Sequence, residues 1–268
     1  MENKSLLKYE LSSEVTAFST TRLSPFNLSG DEIDQMGAYA AFNVTHYCGD
    51  DKGRVERNRA WLCEELGVPA QNLWVPRQTH TSNVRCIDNA FLSLTRQEQT
   101  DLLQDIDALI TDEPRQCIGI STADCVPVLI HDKVHQAVAA IHAGWRGTVK
   151  RISQNALSMM HEKYGTIASD CVAVIGPSIS QQAFEVGNEV RIAFEEAGFP
   201  TSIIDNTTWS KPHIDLWAAN VYLLEEAGVK LSNIQIANVC TYVHSDVFFS
   251  ARKLGINSGR IYSAIFLN

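Results

Sequence analysis

VPVLIHDKVHQAVAAIHAGWRG, residues 126–147, contains two apolar runs that are separated by seven mostly polar residues. The runs, Val126–Ile130 and Val138–Ile141, consist of β-branched, Leu and small apolar residues, which is typical of buried strands. A short return between two such strands predicts an antiparallel hairpin. Because Cys125 opens the first run and His142 closes the second, this hairpin would place their side chains next to each other.

The rest of the chain predicts more strands than helices. Helical spacing of apolar residues marks three amphipathic segments: one begins near Thr148, a second stops at Gly198 and a third stops at Gly228. Five further runs are short and rich in β-branched residues: NLWV (72–75), NVRCI (83–87), DALIT (107–111), CVAVI (171–175) and IQIANV (234–239). From these elements we expect an α+β fold, a mixed-sheet α/β sandwich.

Two segments of the chain resemble each other. WLCEELGVPAQNLWV (61–75) and YLLEEAGVKLSNIQI (222–236) align without gaps, and each predicts a helix, a glycine stop, a turn and a strand. Any helix-to-strand connection favours Gly and Asn, so the match indicates either this local preference or an internal duplication. No linker composition marks a boundary, and the polar stretch 201–212 is more typical of an external loop. We therefore expect one domain over residues 1–268.

The composition of the chain argues against some classes of binding partner. The formal net charge of −9 argues against attraction to a nucleic acid polymer or an anionic membrane, and no apolar run approaches the roughly 18 residues of a membrane span. The N-terminal residues lack the apolar centre of a signal peptide, and the seven cysteines form no CxxC pair. These features predict a cytoplasmic protein with free thiols and a small-molecule ligand.

Three residues beside predicted strand ends have the side chains of a zinc site. His80, Cys125 and His142 would supply two imidazoles and a thiolate, and three protein ligands leave a fourth position for water or substrate. Their spacing matches no compact zinc motif, so each His could equally be a hydrogen-bonded packing residue. A Cys–His–Asp triad, with Cys125 as nucleophile and His142 as base, uses the same residue types. Asp124 could orient a ligand, or it could satisfy backbone donors at the strand start.

The turn after His142 predicts an anion site. Gly144 and Gly147 flank Trp145 and Arg146, and a helix beginning near Thr148 would place free N–H groups beside the guanidinium. Phosphate is a natural ligand for such a site. The alternative is that Trp145 packs under the loop while Arg146 pairs with a carboxylate.

The motifs together resemble one known family. RQTH, DALITD, TADCVPVLI, HAGWRG, IGPSIS, FEVG, CT and FFSAR, in this order, are similar to the multicopper polyphenol oxidase-like, or laccase-domain, family, whose members act as purine nucleoside phosphorylases. The resemblance runs from about residue 18 to residue 265 and implies a single α/β-sandwich domain with an internal duplication. It places the metal ligands on His80, Cys125 and His142. The metal it implies is zinc, with copper from the older oxidase assignment as the alternative.

The resemblance also implies the chemistry. The expected activity is phosphorolysis of adenosine, inosine, guanosine and methylthioadenosine, with some adenosine deamination, so the partners are a purine nucleoside and phosphate. Phosphorolysis needs an anion site, for which Arg146 is the candidate, and a group that moves a proton, for which Asp124 or Glu185 is the candidate. Other readings attached to relatives are editing of peptidoglycan precursors and copper-dependent polyphenol oxidation. The oligomeric state stays open.

The residue types in the sequence bear on two alternative functions, a multicopper oxidase and a zinc-stabilised binding protein. A multicopper oxidase holds several copper ions through many histidines, typically in His-x-His pairs, and this sequence has none. A zinc-stabilised binding protein would need a closed site with a fourth ligand, for which Cys240 is the candidate. The chain departs from the family pattern at LSPFNLSG (23–30), where a glycine-rich turn is usual, and at Thr81, where glycine is common.

Overall fold

A computed structural model describes residues 4–268 of the chain. The strands are β1 (Leu6–Tyr9), β2 (Val15–Thr20), β3 (Leu73–Trp74), β4 (Val84–Cys86), β5 (Ala108–Thr111), β6 (Cys117–Thr122), β7 (Val126–Asp132), β8 (Ala137–Ala143), β9 (Cys171–Ile175), β10 (Ile204–Asp205), β11 (His213–Ile214), β12 (Ile234–Ile236) and β13 (Ile261–Leu267). The α-helices are α1 (Gly30–Met36), α2 (Lys52–Leu66), α3 (Asn89–Leu92), α4 (Arg96–Leu102), α5 (Trp145–Val149), α6 (Ile152–Tyr164), α7 (Asn188–Glu196), α8 (Leu216–Glu226) and α9 (Ala251–Leu254).

Two mixed sheets form the centre of the fold. The six-stranded sheet has the order β12-β9-β7-β8-β5-β4, and the five-stranded sheet has the order β1-β2-β13-β6-β3. In each sheet an edge strand pairs in parallel: β12 with β9 and β4 with β5 in the first, β3 with β6 in the second. The other pairs in these sheets are antiparallel. A small hairpin of β10 and β11 holds the ends of the exposed loop 206–212.

The sheets pack against each other and against helices on their outer faces. Alternate residues of β7 and β8 face opposite layers: Val128 and Ile141 pack with α6 and α8, whereas Leu129 and Ala140 pack with Ile265 and other residues of the five-stranded sheet. Helix α2 covers the outer face of the five-stranded sheet through Leu62 and its neighbours. The arrangement confirms the mixed-sheet α/β sandwich.

The central hairpin is the one the sequence predicts. Strands β7 and β8 pair antiparallel, with Val126 opposite Ala143 and Pro127 opposite His142. Asp132 closes the turn, because its Oδ1 accepts hydrogen bonds from the backbone N–H groups of Val134 (2.9 Å) and His135 (3.1 Å). Cys125 and His142 therefore lie at the same end of the hairpin.

The two similar segments fold alike. Each forms a helix that ends at a left-handed glycine (φ 60° at Gly67, φ 102° at Gly228), then a 3-10 turn and a strand, β3 or β12. Glycine adopts this conformation without the steric strain of a side chain. Both strands lie at a sheet edge and pair in parallel with their neighbour, so the segments also occupy equivalent places in the two sheets.

One helix differs from the expectation. The segment expected to begin near Thr148 is two helices, α5 from Trp145 and α6 from Ile152, with Arg151 between them in the left-handed region (φ 61°). The start near Thr148 is wrong because Gly144 serves as the N-cap and its carbonyl already accepts the Thr148 N–H at 2.8 Å. Among residues 4–268, the structure contains no helix that combines the length and the apolarity required to cross a bilayer.

Candidate metal centre

His80, Cys125 and His142 converge at one end of the central hairpin. One ligand atom from each lies within 4.8 Å of the others, and Cys125 Sγ is 3.9 Å from His80 Nε2. The two imidazole rings meet edge to face with centroids 4.9 Å apart. The structure thus brings together all three residues that the sequence proposed as ligands.

Strand ends and one turn place these side chains. His142 is the penultimate residue of β8, and Cys125 immediately precedes β7. His80 lies in the connection from β3 to β4 and has a left-handed backbone (φ 64°), which is uncommon for a residue with a side chain. This conformation turns the His80 ring toward the hairpin end, where it meets the other two residues.

A buried carboxylate, Asp107, organises the group. Its Oδ1 lies 2.6 Å from His142 Nδ1 and also accepts the His80 N–H at 3.1 Å. Its Oδ2 accepts hydrogen bonds from the Thr81 N–H and hydroxyl, both at 2.8 Å, and from the Thr79 N–H at 3.2 Å. Asp107 therefore fixes the orientation of one imidazole and the backbone that carries the other. With Nδ1 engaged, His142 keeps Nε2 for a ligand.

The charges of these groups are coupled. Burial raises the pKa of the Cys125 thiol, but the His142 and His80 imidazoles outweigh it and lower the pKa to about 6. Burial alone would lower the pKa of His142, but the nearby Cys125 and Asp107 outweigh burial and raise this pKa to about 9. Burial also opposes ionisation of Asp107, yet hydrogen bonds from His142 and Thr81 lower its pKa to about 2. The site therefore favours the thiolate, which is the form of cysteine that binds metals.

Gly144 leaves space for a ligand against these atoms. A Cβ on Gly144 would lie 3.0 Å from Cys125 Sγ, 3.1 Å from His80 Cδ2 and 3.7 Å from His142 Nε2. The missing side chain thus creates a cradle that all three donors face. Any larger residue would displace them.

The donor set fits a borderline metal ion. With bond lengths of about 2.3 Å to sulfur and about 2.1 Å to nitrogen, neighbouring donors on a tetrahedral zinc lie roughly 3.5 Å apart, close to the 3.9 Å between Cys125 and His80. Cys240, the candidate fourth ligand, lies outside this group and accepts hydrogen bonds from the Ser180 N–H (3.3 Å) and hydroxyl (3.1 Å). The three residues could hold a metal ion and leave a fourth coordination position open.

Asp124 makes structural contacts at the start of β7. Its Oδ1 accepts the Thr241 hydroxyl at 2.7 Å, its Oδ2 accepts the Arg252 N–H at 2.7 Å, and its carbonyl accepts the Ile179 N–H at 2.9 Å. These bonds attach two distant loops to the residue before Cys125. The carboxylate that contacts His142 is Asp107, which the sequence reasoning did not single out.

Arg146 and Glu185 are both exposed. The Arg146 guanidinium stacks on the ring of the adjacent Trp145, 4.2 Å from its centroid, and no carboxylate in residues 4–268 lies within ion-pair distance of it. Glu185 pairs with Lys211 at 2.7 Å, and its backbone carbonyl accepts a hydrogen bond from Arg252 at 3.1 Å. The hydrogen bond from Lys211 lowers the pKa of Glu185, so it is ionised at neutral pH.

Comparison with known proteins confirms the family resemblance. Residues 32–268 match the family model described as multi-copper polyphenol oxidoreductase laccase. A purine nucleoside phosphorylase of Bacteroides thetaiotaomicron is 46% identical, with 100% of this chain and 98% of that protein covered. Adenosine deaminase RL5, from an unknown prokaryotic organism, is 42% identical, with 94% of each chain covered. The crystal structure of YlmD from Geobacillus stearothermophilus superposes with a TM-score of 0.88 at 26% identity, covering 100% of this chain and 98% of that one.

Proposed function

Because this chain belongs to the multi-copper polyphenol oxidoreductase laccase family, we propose that it is a zinc-dependent purine nucleoside phosphorylase with a secondary adenosine deaminase activity. The substrates proposed are adenosine, inosine, guanosine and methylthioadenosine, together with phosphate. The names of the relatives support both activities. The observation that carries the proposal is the open group of His80, Cys125 and His142.

Zinc fits this group better than a set of copper ions. Two imidazoles and one thiolate are typical zinc ligands, and a zinc ion bound there would act as a Lewis acid on a substrate or water oxygen. Within the described part of the chain, this is the one cluster of three or more metal-binding side chains found. Oxidation by a multicopper mechanism needs further copper sites, so the geometry favours nucleoside chemistry.

Arg146 is the proposed contact for phosphate. Its guanidinium is exposed and held by Trp145, and it follows the hairpin end that carries His142 by four residues. Guanidinium binds phosphate through two parallel hydrogen bonds, and the phosphate must be held while it attacks the anomeric carbon of the ribose. Arg146 would therefore bind the nucleophile and not the metal.

Glu185 and Asp124 divide the proton-transfer and positioning roles that the sequence left open. Glu185 is ionised, so it would act as a proton acceptor rather than a donor. Both carboxylate oxygens of Asp124 already accept hydrogen bonds from Thr241 and Arg252. We therefore assign Asp124 to positioning Cys125, and Glu185 to moving the proton.

The chain is proposed to act as a single domain over residues 1–268. Strand β13, from the C-terminal end, pairs between β2 and β6, which come from the first half of the chain. Neither half could close the five-stranded sheet alone.

Phosphate dependence tests the proposal. Purified protein should contain about one zinc ion per chain by mass spectrometry of the metal content, and adenosine or inosine should release free base only when phosphate is added. His142→Ala should lose both zinc and activity. Arg146→Ala should keep zinc and show a higher KM for phosphate. Release of base without phosphate would indicate a hydrolase, and several copper ions per chain would refute the zinc assignment.

A further inference from the structure

A cavity of about 340 Å³ lies where α2, β3 and α4 meet. Three arginines line it, Arg59, Arg77 and Arg96, together with His46, Tyr47 and Trp74. No aspartate or glutamate is among its lining residues. We call this feature the arginine cavity.

Two of the guanidinium groups are held in place. Arg59 donates hydrogen bonds to the carbonyls of Val44 (3.1 Å) and Leu73 (3.3 Å) and is half-buried. Arg96 lies over the Trp74 ring, 4.9 Å from its centroid. Arg77, on the connection that follows β3, is exposed and is the third guanidinium of the cavity. Groups that are already oriented lose little conformational entropy when a ligand binds.

The positive charge of the arginine cavity is not neutralised within the chain. Across residues 4–268, no carboxylate oxygen lies within 4.0 Å of a guanidinium nitrogen of these three arginines. His46 Nδ1 lies 3.6 Å from Glu56 Oε1, but burial and the nearby Arg59 lower the pKa of His46, so this contact brings no further positive charge to neutralise at neutral pH. Burial lowers the pKa of Arg96, and repulsion from Arg59 lowers it further. Arg77 and Arg96 are exposed, so solvent screens part of the repulsion between the three guanidinium groups, and a bound anion would offset the rest.

We propose that the arginine cavity binds a small phosphate-bearing anion at a site separate from the metal centre. Three guanidinium groups can hold a phosphate through several charge-assisted hydrogen bonds. The volume is near the lower end of the roughly 300–1,000 Å³ range of ligand sites, which suits an anion no larger than a sugar phosphate or mononucleotide.

The arginine cavity and the metal centre share one segment of chain. The Tyr47 hydroxyl donates a hydrogen bond to Gln78 Oε1 at 3.1 Å, and Gln78 also bonds the backbone of Ser121. Gln78 is one residue after Arg77 and two residues before His80. An anion in the cavity therefore binds next to the segment that positions a metal ligand.

Isothermal titration calorimetry at low ionic strength tests the proposal. Ribose 5-phosphate and inorganic phosphate are the probes, and ribose is the uncharged control. The Arg146→Ala protein, which lacks the proposed catalytic phosphate contact, should bind at least one of the phosphates, and Arg77→Gln or Arg96→Gln added to it should each weaken binding at least tenfold while circular dichroism shows the fold unchanged. Arg57→Gln removes the same charge from α2 outside the cavity, where Arg57 covers the Phe26 ring, and should bind as the wild type does.

The outcomes distinguish a phosphate ester from free phosphate as the ligand. They also distinguish binding in the arginine cavity from binding at Arg146. Tighter binding of ribose 5-phosphate than of inorganic phosphate identifies an ester as the ligand, and equal binding identifies free phosphate. Arg146→Ala, which removes the proposed catalytic phosphate contact, should leave this binding unchanged. Binding that is lost in Arg146→Ala, that persists when Arg77→Gln is added to Arg146→Ala, or that ribose matches would overturn the proposal.

Discussion

Replacing Asp107 by Asn should weaken both the fold and the metal centre. The carboxylate accepts five hydrogen bonds, two at Oδ1 and three at Oδ2. In either orientation an Asn amide nitrogen would face at least two N–H donors, so at least two bonds to a charged acceptor are lost. At roughly 1.5–3 kcal/mol for each, the free energy of unfolding of the metal-free protein should fall by at least about 3 kcal/mol. Loss of a partner that orients a ligand also lowers zinc affinity, typically about 10–100-fold.

Asp105→Asn is the matched control for this change. Asp105 lies two residues away, is exposed, and accepts a hydrogen bond from the hydroxyl of Thr79 at 2.8 Å. Its backbone is left-handed (φ 55°), a conformation that Asn tolerates. Urea unfolding of the metal-free proteins and competition with a zinc chelator measure the two effects. If Asp107→Asn and Asp105→Asn unfold at the same urea concentration and bind zinc equally, Asp107 does not organise the site as argued.

Three further changes test neighbouring contacts. Gly144→Ala places a Cβ 3.0 Å from Cys125 Sγ and should lower zinc affinity more than tenfold in the chelator assay, whereas Gly30→Ala, with no atom within 4 Å of the new Cβ, should leave it unchanged. Thr81→Val removes the hydroxyl bond to Asp107 and should lower the free energy of unfolding by about 1–2 kcal/mol, and Thr81→Ser should restore most of it. Burial opposes ionisation of Asp132, but hydrogen bonds lower its pKa below 3.8, so the ionised form stabilises the central hairpin above about pH 4. Asp132→Asn should therefore unfold more easily at pH 7, and the difference from the wild type should shrink as the pH falls below about 4; a difference that is constant with pH would contradict this.

The sequence predicted one sheet far better than the other, and buried hydroxyl groups explain why. Every strand of the six-stranded sheet overlaps an apolar or β-branched run identified in the sequence, although β7 and β8 extend beyond their runs, to Asp132 and Ala143. In the five-stranded sheet only β3 was anticipated. Strands β2, β6 and β13 carry buried hydroxyls that interrupt their apolar pattern. Ser19 bonds Ser263 at 2.6 Å, and Ser121 bonds Thr45 at 2.6 Å.

These hydroxyls are satisfied by residues far away in sequence. Ser19 and Ser263 are 244 positions apart, and they meet only because β2 and β13 are neighbours in the sheet. A buried polar group is tolerated when it is hydrogen-bonded, but hydropathy along the chain does not reveal its partner. The strands that the sequence did not predict are therefore those whose buried hydroxyls are hydrogen-bonded to residues far away along the chain.

The same reasoning explains why the proposed metal ligands could be found from the sequence and the residue that orients them could not. Cys125 and His142 could be paired from sequence because one hairpin joins them. Asp107 could not, since its approach to His142 depends on the pairing of β5 with β8, which sets Ala108 opposite Ile141. The available signal was a charged residue immediately before a four-residue strand whose members are all buried. A carboxylate in that position must find donors at the sheet end, and there the donors are the His142 ring and the backbone of residues 79–81.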